Sequence, residues 1–63
     1  MIKLAYISIY DGSVHEYFIT CENGKTERYT PDNVPDTIIR LLNYNRPFTS
    51  FVKGNDETIV YLF

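Results

Sequence analysis

Apolar and polar residues alternate along most of this chain, and Gly, Asn and Asp interrupt the alternation at short intervals. A period of two is the spacing of a β-strand, whose successive side chains leave opposite faces. Residues 2–10 form the first such run. Leu4, Tyr6 and Tyr10 share one face; Ala5, Ile7 and Ile9 share the other. Both faces are largely apolar, as in a strand covered on each side. Residues 14–21 form the second, with Val14, Glu16, Phe18 and Thr20 opposed to His15, Tyr17, Ile19 and Cys21. Residues 25–30 form a third and mostly polar run, which suits a sheet edge. Residues 48–53 and 58–63 complete the set. The last run carries Val60 and Leu62 on one face and Ile59, Tyr61 and Phe63 on the other.

The interruptions predict turns. Asp11-Gly12, Asn23-Gly24 and Gly54-Asn55 are built from residues that tolerate positive φ, which tight hairpins require. Asn23-Gly24 in particular predicts a type I′ turn.

One segment changes period. Val34, Ile38, Leu41 and Leu42 recur at i, i+4, i+7 and i+8, the apolar stripe of a helix. Asn33 is placed to cap it, with Asp36 three residues on in a capping-box position and Pro35 in the first turn. Pro47 disfavours helix at Arg46, so the helix is expected to end near residues 43–45. The order βββ-α-ββ, with short links, predicts an α+β fold: an antiparallel five-stranded sheet with one helix packed on one face, a single domain over residues 1–63.

Length makes that fold hard to stabilise. A chain of 63 residues buries only about 60% of the surface its unfolded form exposes. Cys21 is the single cysteine, so no internal disulfide can form, and a structural zinc site lacks soft ligands. Six Tyr and four Phe supply large buried areas at low entropic cost. They also supply material for association with another chain.

A net charge of −2 argues against a general phosphate-backbone binder. No run of like charge suggests an acidic tail or a basic arm. No stretch approaches the roughly 20 apolar residues of a membrane span. The unpaired thiol, the absence of an N-x-[ST] acceptor and the lack of an export signal point to a reducing cytoplasm.

Catalytic chemistry finds little support. His15 is the one side chain that titrates near neutral pH unaided, but Glu16 beside it points to the other face of its strand. Cys21 shares a strand face with His15, yet six residues at about 3.3 Å each put them roughly 20 Å apart, too far for thiol activation. Asp11, Asp32 and Asp56 occupy turn positions. No catalytic residue, cofactor site or metal site is expected, and the chain is not expected to be an enzyme.

The apolar faces carry the functional expectation. One short helix covers one face of a five-stranded sheet. Leu4, Tyr6, Phe18, Val60 and Leu62 line one face, and Ile7, Ile9, Ile19, Ile59, Tyr61 and Phe63 the other. The face left over must meet something else. The expected function is a small non-catalytic protein-interaction module, a homodimer or bound to a protein partner. Tyr17, Tyr61 and Phe63 are expected to make the contacts, with Glu16 and Arg28 at the rim. A second expectation is a nucleic-acid-associated protein using Arg40, Tyr44, Arg46 and Lys53. In length and style the chain resembles small α+β proteins of phages and mobile elements. The carboxylates Glu16, Glu22 and Glu27 around one hairpin give a third expectation, an acidic inhibitor of a host enzyme.

Overall fold

The computed structural model describes residues 2–44 and 47–63. Its elements are β1 (Ile2–Tyr10), β2 (Ser13–Cys21), β3 (Thr26–Tyr29), α1 (Asp36–Asn43), β4 (Phe48–Lys53) and β5 (Asp56–Leu62). The fold is α+β, with one five-stranded sheet in the order β3-β2-β1-β5-β4. Every neighbouring pair is antiparallel. The strand that is apolar on both faces, β1, lies at the centre. The polar β3 forms one edge and β4 the other.

Counting directions through these four pairings, β3 and β4 run parallel at opposite edges. Their connection therefore crosses the whole sheet and carries α1 over one face. The hand of such a crossover selects the face. Here α1 lies over Ala5, Ile7, Tyr17 and Ile19, which are the buried core. Val34, Ile38, Ile39 and Leu42 pack down on them, with Ile2, Ile9, Val14, Tyr29, Ile59 and Tyr61 around the margin. Ala5 is fully buried, and its small side chain leaves room for the branched helix residues. Ile39 joins the predicted stripe, while Leu41 is half-buried.

Two bulges shift the predicted alternation. The register slips between Ser8 and Ile9, so Val14 stands opposite Ile9 and His15 is the extra residue. Val14 thereby reaches the helix side, and His15 turns its ring to Tyr10, with centroids 5.7 Å apart. A second slip between Ile2 and Leu4 pairs Ile2 with Cys21. An extra residue in one strand reverses the alternation beyond it, which a period count cannot register.

The turns are also redistributed. Asp11 and Gly12 both have positive φ, 53° and 79°, so the type I′ turn is here. At Asn23-Gly24 only Gly24 is positive, at 87°. The Gly24 amide donates to the Cys21 carbonyl, and the Cys21 amide to that of Lys25, both at 2.9 Å. This is a three-residue loop whose last residue is left-handed, a correction to the expected type I′ turn. Gly54 has φ 61° and Asn55 does not share the sign, the pattern of a type II′ turn. The helix start differs too. Pro35 occupies the N-cap position and no side chain caps α1. Asn33 instead accepts the Thr30 amide at 2.7 Å and the Thr30 hydroxyl at 3.2 Å, so it closes the turn before the helix.

Candidate interaction surface

The helix shelters one layer of side chains, and no described element lies over the other. Strand register sets out that second layer. Arg28, Phe18, Tyr6, Val60 and Thr49 form one row across the sheet, and Thr26, Thr20, Leu4 and Leu62 the next. A third row runs through Glu16, Ser8, Thr58 and Phe51. The centre is apolar and aromatic. Tyr6 and Phe18 meet edge to face, with centroids 5.6 Å apart and planes at 79°. Leu4, Tyr6, Phe18 and Thr20 line a shallow depression of about 340 Å³.

Size sets what such a face can do. Five strands about 4.8 Å apart and six residues at about 3.3 Å each give roughly 500 Å² in plan. Its apolar centre is a part of that area, and contiguous apolar patches of a few hundred Å² on monomeric proteins are often functional. The rim is polar. Arg28 Nη1 lies 3.0 Å from Glu16 Oε2, and the Thr20 and Thr26 hydroxyls are 3.1 Å apart. The Tyr6 hydroxyl lies 3.5 Å from Thr58 Oγ1. These polar groups pair with each other rather than converge on a point, and the depression is open to solvent. The arrangement suits a broad protein contact better than a small substrate, which needs an enclosing pocket with aimed polar groups.

The expected contact residues divide between the layers. Glu16 and Arg28 do lie at the rim of the open face. Tyr17 does not: it is buried under the helix, in register with Ile7 and Tyr29. Tyr61 is half-buried against the same core, stacked at a tilt on Phe48 with centroids 5.6 Å apart. Phe63 follows β5, with its backbone amide donating to the Lys3 carbonyl at 3.2 Å. The groupings of Leu4, Tyr6, Phe18, Val60 and Leu62 on one face and of Ile7, Ile9, Ile19, Ile59 and Tyr61 on the other hold. The assignment of the helix to one of them is reversed, because the crossover from β3 to β4 decides it and period-two patterning carries no information about that path.

The expected acidic constellation does not assemble. Glu16 lies on the open face and Glu27, opposite Ile19, on the helix side; Glu22 is in the turn. The acidic hairpin therefore presents no single carboxylate cluster. Glu27 instead accepts the Tyr29 hydroxyl at 3.1 Å. That hydrogen bond, then desolvation and the Glu27 charge, holds the Tyr29 phenol above its ordinary value. Arg40 is in the last turn of α1 and Tyr44 follows it, exposed. Lys53 is the last residue of β4, and Arg46 lies outside the described residues. Cys21 is a half-buried free thiol. Among the described residues, no three His, Cys, Asp or Glu side chains are grouped to hold a metal, and no helix is long and apolar enough to cross a membrane.

Comparison with family models, curated proteins and solved structures finds no match to this chain. The functional reading therefore rests on the geometry of the open face.

Proposed function

We propose that this chain is a non-catalytic protein-interaction module of the cytoplasm. Its working surface is the sheet face opposite the helix: Leu4, Tyr6, Phe18, Val60 and Leu62, rimmed by the Glu16–Arg28 pair. One observation carries the reading. A central strand with apolar side chains on both faces has only one face covered by the fold. Aromatic residues bounded by polar ones are the composition found at the centre of protein interfaces. The single free thiol suits a reducing compartment.

The test is substitution at the centre of the face. Phe18→Glu places a charge beside Tyr6, where the fold leaves space and solvent. Proteins captured from a lysate by the wild-type chain should be lost with Phe18→Glu, while the circular dichroism spectrum stays the same. A wild-type chain that is monomeric at high concentration and captures nothing defeats the proposal. So does a captured protein whose binding is indifferent to Phe18→Glu and Leu62→Glu alike.

A further inference from the structure

The two edges of the sheet are not equivalent. The β3 edge has four residues, two of them the charged Glu27 and Arg28, and short charged edges resist strand addition. β4 has six residues, all exposed, including Phe48, Phe51 and Val52. It contains no proline, its pairing with β5 has no register slip, and its single charge, Lys53, is at the end. Nothing on this strand guards its outer row of backbone groups.

We propose that β4 pairs with the β4 of a second copy, antiparallel about a two-fold axis through Ser50. The hydrogen-bonding phase permits it. Lys53 and Asp56 flank the two-residue Gly54-Asn55 turn and face each other, so they form a hydrogen-bonded pair. The Asn55 carbonyl accepts the Asp11 amide at 2.9 Å, which confirms that residue 55 faces β1 and residue 56 faces β4. By alternation, Thr49, Phe51 and Lys53 bond to β5, while Phe48, Ser50 and Val52 direct N–H and C=O outward. With the axis at Ser50, Ser50 meets Ser50, and Phe48 of one copy meets Val52 of the other. All outward groups in this stretch then find partners, giving about six new backbone hydrogen bonds.

Side chains fit the same register. Directly opposed residues share a face only if their numbers have the same parity, and this pairing satisfies that condition. Phe48 opposes Val52 on the helix side, and Phe51 opposes Thr49 on the open side; aromatic–β-branched pairs of this kind stabilise sheets. The two Lys53 residues fall at opposite ends of the seam. The axis is perpendicular to the sheet, so both helices stay on one face, and the core they cover is centred on β1 and β2 rather than β4. A second copy satisfies this edge through its own sequence, as an isologous contact requires. The two open faces then join into one ten-stranded surface. This pairing does not depend on the proposed role of the open face.

Sedimentation and amide exchange on the unmodified chain test it together. A short seam belongs at the small end of interface sizes, where contacts are weak, so association is sought over about 10–100 μM, within the weak part of the affinity scale. The mass should double across that range, and the Ser50 and Val52 amides should exchange about tenfold or more slowly in the associated state. Ser50→Pro removes an outward N–H that edge strands can spare, and should hold the chain at its single mass. Ser50→Ala loses the Ser50–Glu57 hydrogen bond of 2.8 Å but keeps the N–H, and should still associate. A chain that remains single at about 500 μM, far above the expected range for such a seam, overturns the inference. So does a dimer whose Ser50 and Val52 amides stay unprotected. If that dimer is broken by Phe18→Glu and not by Ser50→Pro, the open face is the contact and the function proposed above survives without this seam.

Discussion

Truncating Ile19 and Leu62 to alanine, each alone, separates a sheltered layer from an open one. Ile19 is 2% exposed and belongs to the core under α1. Its truncation forfeits burial of three carbon groups at about 0.8 kcal/mol each and leaves a cavity, about 3–4 kcal/mol in total. Leu62 is 59% exposed, so it forfeits less than half of that transfer, and solvent occupies the space. Its loss should be about 1 kcal/mol or less. A chain of this size has about 3–9 kcal/mol of stability altogether. Ile19→Ala should therefore remove between about a third and all of that stability, and Ile19→Val, at about 1 kcal/mol, gives a measurable companion. Urea unfolding followed by circular dichroism near 1 μM, below the association expected of a small interface, reads the isolated molecule. Should Leu62→Ala lose as much as Ile19→Ala there, the face opposite the helix would be sheltered within one chain, and the basis for a docking role would disappear.

Two further outcomes follow from local geometry. Gly24 has φ 87° and open space where a Cβ would stand, so Gly24→Ala should lose about 1 kcal/mol through backbone strain alone, and Gly24→Asn distinctly less; urea midpoints measure both. Tyr29 should titrate above ordinary tyrosines in a spectrophotometric scan, and Glu27→Gln should lower that value, because the hydrogen bond to Glu27 leads the causes of the shift. A raised folded-state value means that this contribution to stability is present below the ordinary tyrosine range and is lost as pH rises through the folded one. A Tyr29 titration indifferent to Glu27→Gln contradicts that cause.

Much of this fold is written in the period of its side chains. Alternation in residues 2–10 and 48–53 matches β1 and β4 to the residue, because those strands are bounded by turn residues or proline. The grouping of Leu4, Tyr6, Phe18, Val60 and Leu62 on one face holds because no bulge falls among them. His15 escapes the pattern because a bulge is a property of two strands in register, not of one. Asn33 has the chemistry of a cap, but its carboxamide reaches the Thr30 amide first. Tyr17 lies under the helix and Tyr61 at the margin of the same core, not on the open face, since only the path from β3 to β4 distinguishes the two faces. The open face was legible as a set of residues and illegible as a location.

The inequality between the margins of the sheet limits how far growth can go. A strand ribbon with two receptive sides would extend without end and leave solution as fibres. Here Glu27 and Arg28 guard one side, so a union along the other uses up the receptive margin of each described sheet. Assembly by that route stops at a pair, and mutations that neutralise the charged side would be the ones to turn a finite complex into an endless one.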